Sequence, residues 1–294
     1  MNILLTGSQG QVGRAIVTCA PEHAVTIIPL SRAQCDVTNQ SSVLCALSWY
    51  KPDIVINAAA YTAVDAAEDD PDLAQAVNAD AALYLAKACR THHIPLLHLS
   101  TDYVFDGLGS VPYVEEDLPH PASVYGKTKY QGEWHIGQTL PQHIILRTSW
   151  VFSPYAHNFV KTMLRLFDQR DTVSVVNDQY GSPTSANAIA RTLLVMAKVV
   201  LQPNFFDWGI YHFCGAPAVT WWEFANIIAS LYDSDKKKIQ RIEAIRSDQF
   251  PMKAKRPAYS VLDTQKIHRV FGILPCDWQL ELAHWLKYFC TNFD

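Results

Sequence analysis

The feature that most constrains this chain is its first thirteen residues. Asn2–Thr6, "NILLT", is a short apolar run with no polar alternation, followed at once by "GSQGQVG", which places Gly7, Gly10 and Gly13 before a helical pattern. A continuous apolar run suits a strand buried on both faces, which is the condition of a parallel sheet covered by helices. Glycines at the turn that follows serve three needs: positive φ, close approach of backbone to a diphosphate, and close packing of helix on strand. The helix then aims its first N–H groups at the phosphates. The spacing is G-x-x-G-x-x-G rather than G-x-G-x-x-G.

The alternation continues. "AVTIIPL", "DIVINAA", "IPLLHLS" and "HIILRTS" read as further strands. Pro71–His92 reads as one long helix, with proline at its head, carboxylates early and Lys, Arg and His late. Strand–helix alternation of this kind predicts a Rossmann-type, doubly wound parallel α/β sheet. After Trp150 the pattern loosens into amphipathic helices, "NFVKTMLRLF", "ANAIARTLLVMAKVV" and "TWWEFANIIASLY", with "TVSVVND" and "GIYHFCG" as further strands. The expected organisation is a dinucleotide-binding domain over residues 1–150 and a smaller substrate-binding lobe over 151–294, part of about 170–215 returning to the sheet.

Composition narrows the classes. A formal charge of −4 with no long basic stretch, Lys236–Lys238 being isolated, argues against nucleic acid. The seven cysteines (Cys19, Cys35, Cys45, Cys89, Cys214, Cys276 and Cys290) are odd in number and never in Cys-x-x-Cys spacing, so free thiols in a reducing compartment are expected. "MNILLTG" lacks the basic region and apolar run of a signal peptide, and "LLVMAKVVL" is too short and is interrupted by Lys198, so the expectation is a cytoplasmic chain without a membrane span. The histidines form no ligand set. His92–His93 falls at a helix end, where charge–dipole placement explains it, and no metal is expected.

Two segments carry chemistry. "HLSTDYVFDG" sets Ser100, Thr101, Asp102 and Tyr103 at the carboxyl end of a strand, the edge where open α/β sheets bind ligands. "VYGKTKYQGE" places Tyr125 and Lys129 four apart, on one helix face. A phenol titrates near 10, so a neighbouring ammonium is expected to stabilise its phenolate and tune it as a proton donor. Thr101 would hold the substrate oxygen against Tyr125. Tyr130 with Lys127 is a rival pair, but the helix turns it away from Tyr125 and from any threonine. At the end of the second strand an acid would favour NAD and an arginine NADPH. Ser31–Arg32 offers a hydroxyl and a cation with no carboxylate beside them, which favours NADPH with NADH still open.

These motifs resemble the extended short-chain dehydrogenases/reductases, and within them the dTDP-4-dehydrorhamnose reductase family. "GQVG", "PDIVINAAAYTAVDAAE", "STDYVFDG", "VYGKTK", "LRTSWVF", "VVNDQYGSPT", "GIYHFCG" and "KRPAYSVLDTQK" carry the likeness nearly end to end. The resemblance implies reduction of the C4 keto group of dTDP-4-dehydro-β-L-rhamnose to dTDP-β-L-rhamnose. It implies Thr101, Tyr125 and Lys129 as the catalytic set, Lys129 also binding the nicotinamide ribose. It puts Gly10, Gln11 and Val12 at the diphosphate, Asp36 and Val37 at the adenine, and Ala58, Ala59, Ala60, Tyr61 and Thr62 along the cofactor groove. Thr101, Asp102, Tyr103 and Trp150 would meet the sugar nucleotide. Some relatives carry glutamates for a Mg²⁺-linked dimer where this chain has Ala15 and Asn187, so a monomer or a metal-free homodimer is expected. A dehydratase would show Asp-Glu after the threonine, whereas Asp102–Tyr103 follows here. A reductase of another dTDP-4-keto-6-deoxyhexose is one alternative, and a non-catalytic subunit, like the regulatory subunit of methionine adenosyltransferase, is the alternative from another class. Trp221 and Trp222 are expected to pack a helix of the small lobe, with contact to the nucleotide left open.

Overall fold

The computed structural model describes residues 1–292, with side chains to Lys287; the side chain of Cys290 lies outside the described residues. The central sheet contains β1 (Asn2–Thr6), β2 (Thr26–Pro29), β3 (Ile54–Asn57), β4 (Leu96–Thr101), β5 (His143–Thr148) and a last strand, Gly209–His212. Their order is Gly209–His212, β5, β4, β3, β1, β2, and every pairing is parallel. Strand order reverses between β1 and β3, the switch point where such sheets open a crevice.

Both faces are covered, which is why β1 carries no polar alternation: Ile3, Leu4 and Leu5 are wholly buried. On one face, α1 (Gln11–Cys19) lays Val12, Ala15 and Ile16 against Ile189 and Leu193 of α8 (Ala186–Val200). On the other lie α2 (Gln40–Tyr50), α5 (Ala81–His92) and α6 (Val124–Thr139), with Val43, Leu47, Leu85, Cys89 and Ile136 forming a second core. Each aliphatic side chain so buried contributes about 1.5–3 kcal/mol relative to exposure.

The smaller lobe has its own core, made by α7 (Phe159–Gln169), α9 (Trp221–Leu231) and α11 (Trp278–Asn292) around Phe167, Phe224 and Trp278. α9 begins with a full capping box between Thr220 and Glu223, which the sequence "TWWE" supplies. The strand Thr172–Val176 belongs to this lobe and pairs with Arg241–Ile245, not with the central sheet. The segment that returns to the sheet is α8 with Gly209–His212.

The long helix expected from Pro71 to His92 is interrupted. It runs as α4 (Pro71–Gln75), a π-turn at Ala76–Asp80, then α5. The cause is Asn78. Its fully buried amide accepts from Tyr61 N at 2.8 Å and donates to Tyr61 O and Thr128 Oγ1, both at 3.1 Å. Satisfying the backbone of the 58–62 loop outweighs keeping the α-helical register, a use typical of π-turns near functional sites.

Candidate active site

Two cavities meet along the carboxyl edge of the sheet. One, of about 390 Å³, lies over the switch point and is lined by Gly7, Ser31, Arg32, Asp36, Val37 and Ala58–Tyr61. The other, of about 440 Å³, runs between sheet and small lobe and is lined by Gln11, Val12, Thr62, Thr101, Asp102, Tyr103, Tyr125, Lys129 and Trp150. Gly10, Ala58 and Ala60 border both. Every residue named above for cofactor or substrate therefore lines this groove except Gly13.

Gly13 acts through packing. A Cβ there would stand 2.1 Å from the Gly7 carbonyl oxygen, while Gly7 itself has φ +70°. Gly10 differs: a Cβ would meet only Gly7 O, at 3.4 Å. The fold leaves room for a side chain there, and its absence leaves the N-terminus of α1 open to the groove. No carboxylate stands in that first turn. Free helical N–H groups over a concave, small-residue surface fit the diphosphate of a dinucleotide. The Gln11 side-chain oxygen accepts from Ser153 Oγ at 2.7 Å and Asn158 Nδ2 at 3.1 Å, tying α1 to the small lobe.

At the adenosine end Arg32 is not free of carboxylates. Asp36 stands four residues on, with Arg32 Nε 3.9 Å from its Oδ2. The carboxylate is held low by hydrogen bonds from Thr38, Oγ1 at 2.7 Å and N at 3.0 Å. Arg32 is 76% exposed, and such pairs contribute about 0–1 kcal/mol, so the guanidinium remains available to a phosphate.

α6 is capped by Ser123, whose Oγ accepts from Gly126 N at 3.1 Å, and its first N–H, of Val124, is taken by Glu68 Oε1 at 2.8 Å. These caps point Tyr125 and Lys129 at the end of β4. Tyr130 packs instead beside Val104 and Phe105, and Lys127 is exposed, so the rival pair is separated. Lys129 Nζ donates to Leu99 O at 2.6 Å and stands 3.3 Å from His98 Nε2. Burial draws Lys129 down to about 8, with Glu133 opposing. The ammonium was expected to draw the Tyr125 phenol down; instead burial drives the phenol up, opposed by the Thr101 hydroxyl.

Beyond Tyr125 the lining is polar and incomplete. Thr101 Oγ1 donates to Asp102 Oδ1 at 3.0 Å, while Oδ2 makes no hydrogen bond, Ser260 lying only near enough to ease its charge. Burial raises Asp102 to about 6. Ser100 Oγ, Thr148 Oγ1 and Arg256 Nε are likewise buried without partners, and all line the same cavity. Arg256 is held by Asp65, Nη2 to Oδ2 at 2.9 Å. Neither Arg256 nor Thr148 was singled out from the sequence, although both fall in motifs that carry the resemblance.

Trp150 forms the far wall. It has φ +45°, an uncommon conformation for a bulky residue, and stacks on Trp221 with ring centroids 3.5 Å apart and planes 6° apart. Trp221 thus faces the cavity as well as packing α9, whereas Trp222 is structural, its Nε1 donating to Ile242 O at 2.9 Å. Among the described residues, no group of three His, Cys, Asp or Glu side chains could hold a metal ion, the described cysteines are free thiols, and no helix is long and apolar enough to cross a membrane.

A doubly wound parallel sheet with threonine at a strand end and Tyr-x-x-x-Lys on the next helix defines an extended short-chain dehydrogenase/reductase. The comparisons narrow the class. A family profile described as "RmlD substrate binding domain" matches residues 1–290. The dTDP-4-dehydrorhamnose reductase of Aggregatibacter actinomycetemcomitans is 43% identical over 97% of this chain and 98% of its own. That of Sinorhizobium fredii is 42% identical over 95% and 94%. Among solved structures, the Clostridium acetobutylicum dTDP-4-dehydrorhamnose reductase superposes with a TM-score of 0.91 at 35% identity, covering 98% of this chain and 99% of that one. The Bacillus anthracis enzyme, in complex with NADP, gives 0.90 at 33%, with the same coverage. The chain belongs to the dTDP-4-dehydrorhamnose reductase family of oxidoreductases.

Proposed function

We propose that this chain reduces the C4 keto group of dTDP-4-dehydro-β-L-rhamnose to dTDP-β-L-rhamnose in the cytoplasm, using NADPH. The observation that carries the reading is the convergence of Thr101, Tyr125 and Lys129 on one cavity continuous with the glycine-turn groove. The first 150 residues would hold the cofactor, and the small lobe would close over the sugar nucleotide.

Bound NADPH supplies the hydride. The remaining work falls to side chains. A phenol pushed up by burial keeps its proton at neutral pH, so Tyr125 waits loaded as a donor. An alkoxide forming at C4 is more basic still and takes that proton. Thr101 offers its hydroxyl to the same oxygen as charge develops there. Lys129, one helical turn on from Tyr125, would bind the ribose and restore charge balance there. Trp150 and Trp221 bound the space in which the sugar must sit, and Arg256 Nε is the unpaired donor best suited to an anionic diphosphate.

The test is NADPH oxidation with the dTDP-4-keto-6-deoxyhexose, with the C4 configuration of the product read by NMR. Tyr125→Phe should lower kcat by about 10²–10⁴-fold, the usual contribution of a positioned acid. Absence of turnover in the wild-type protein, together with binding to another subunit, would instead support the regulatory reading.

A further inference from the structure

Lys129 is anchored from below by β4, and the direction of the hydrogen bonds there can be worked out. His98 is 1% exposed. Its Nε2 is 3.3 Å from Lys129 Nζ and its Nδ1 is 2.9 Å from Asn57 Nδ2. The Asn57 amide is fixed from its other end, where Oδ1 receives Ala59 N at 3.1 Å and Thr6 Oγ1 at 2.7 Å. A backbone N–H can only donate. A flipped amide would set its NH₂ against that N–H, so Nδ2 is the donor toward His98 and Nδ1 is the acceptor. A neutral imidazole carries its one proton on the other nitrogen, here Nε2, pointing at Lys129. An ammonium has no lone pair and would face that N–H donor to donor. An amine can accept it while still donating to Leu99 O at 2.6 Å.

We propose that His98 is a positioning residue that favours the neutral amine of Lys129 over its ammonium in the ligand-free protein, its direction fixed by Asn57 and the Ala59 N–H. Binding of the anionic cofactor then returns Lys129 to the ammonium by uptake of one proton from solvent. This rests on the cofactor reading above. The step is –NH₂ + H⁺ → –NH₃⁺ at Nζ, with no other bond made or broken and no electron transferred. An empty groove is thereby spared a buried cation, and the charge appears when negative charge arrives to meet it.

The surroundings agree. On α6, Tyr125 and Glu133 lie one turn to either side of Lys129. Glu133 is committed to Arg147 of β5, which donates to it from Nη2 at 2.7 Å and Nε at 3.0 Å. From β4 come His98 itself and, at its end, Asp102; from β5, His143 lies beside His98. β3 offers only the uncharged Asn57; the π-turn carries Asn78, bound to Tyr61 and Thr128, and Asp80, which accepts from Gln75 Nε2 at 3.2 Å. Burial lowers Lys129 to about 8, and burial, the largest cause, holds His98 well below its ordinary value, which keeps the imidazole neutral.

Two measurements test this. In ligand-free protein labelled with ¹⁵N-histidine, the His98 signals should show the Nε2–H tautomer from about pH 6 to pH 9, bracketing the ordinary histidine and perturbed lysine ranges. Calorimetry of NADPH binding at about pH 8, in buffers of different ionisation enthalpy, should show net uptake of roughly half a proton or more. His98→Gln can turn its amide oxygen to Nζ, and Asn57→Asp reverses the tautomer, so either should hold the ammonium and bring uptake close to zero. A purely structural role would weaken binding in both variants and leave the proton count unchanged. An Nδ1–H tautomer in the wild type, or undiminished uptake in a folded variant, overturns the proposal. If neither variant folds, the wild-type tautomer decides. If NADPH does not bind at all, the cofactor reading fails, and the tautomer still decides the role of His98.

Discussion

The two halves of the groove are built by opposite means. The half over the switch point is built largely from main chain and small residues of 7–10 and 58–61, with 30–38 at its rim and Leu73 and Val77 behind. Apart from the free N–H groups that open α1, its backbone is paired within the fold where the chain turns: Gly10 N with Gly7 O at 3.0 Å, Ala58 N with Thr6 O at 3.1 Å, and the backbone of Tyr61 with Asn78. The half toward the small lobe is mostly side chains, brought together from the ends of β4 and β5, from α6, from Trp150 and α9, and from the segment around Arg256. There Ser100 Oγ, Asp102 Oδ2, Thr148 Oγ1 and Arg256 Nε are left unpaired. A buried unpaired group costs about 1–3 kcal/mol. The first half is a receptacle whose shape the fold guarantees. The second is held short of its own satisfaction, and a ligand's hydroxyls and phosphates can supply what is missing.

If that contrast is right, the first half should fail through shape. A Cβ on Gly13 would be 2.1 Å from Gly7 O and 2.7 Å from Ser8 Cα, both backbone atoms that cannot swing aside. Gly13→Val should cost about 3 kcal/mol, the upper range for overpacking a tight site, and should displace the start of α1. Thermal unfolding and NADPH affinity should fall together. A variant of full stability that binds NADPH normally would show the turn to be looser than described.

The second half should respond in the opposite sense, gaining stability when its unmet charge is removed. Asp102 is raised from 3.8 to about 6 by burial. The folded state therefore binds more protons than the unfolded state between those two values. The resulting penalty is fully present above pH 6 and is relieved as pH falls toward 4. At about 1.4 kcal/mol per pH unit the displacement corresponds to on the order of 2–3 kcal/mol. Asp102→Asn keeps an unpaired polar atom, so it should recover about 1–2 kcal/mol at pH 8, and roughly half of that at pH 5. Denaturant unfolding at the two pH values checks this. A gain that does not depend on pH would show that the carboxylate is not the source. Turnover should fall even as stability rises, the signature of a group kept for ligand rather than fold.

The same contrast explains what could be read in the chain. Where geometry demands a residue type, the sequence shows it: Gly7 at positive φ and Gly13 against backbone, the unbroken apolar β1, Thr220 and Glu223 as caps of α9. The proposed catalytic pair was legible as a pattern because Tyr125 and Lys129 are local to one helix. Arg256 lies far along the chain from the residues it joins, and only the docking of the small lobe brings it there, so no local pattern marks it. The π-turn was invisible because Pro71–His92 is good helix by every local measure. It breaks only because Asn78 is required by Tyr61 and Thr128, from elsewhere in the fold. The strand at Thr172–Val176 was legible as a strand, yet its equally long partner, "RIEAI", carries two charges in five residues and does not declare itself.

The smallest effect lies at the outer rim of the first half, where main chain gives way to exposed side chains. Arg32 is largely exposed and loosely paired with Asp36, so its contact with a 2′-phosphate would be screened by water and salt. A charge-assisted contact there should contribute about 0.5–1 kcal/mol. Arg32→Ala should therefore raise the KM for NADPH about 2–5-fold, leave that for NADH unchanged, and leave kcat with either unchanged. Asp36→Asn removes the competing carboxylate and should shift the preference slightly the other way. Measured at low and at high salt, the Arg32 effect should shrink with ionic strength. An effect that resisted salt would mean that Arg32 is buried by the bound cofactor, and that the rim belongs with the side-chain half of the groove.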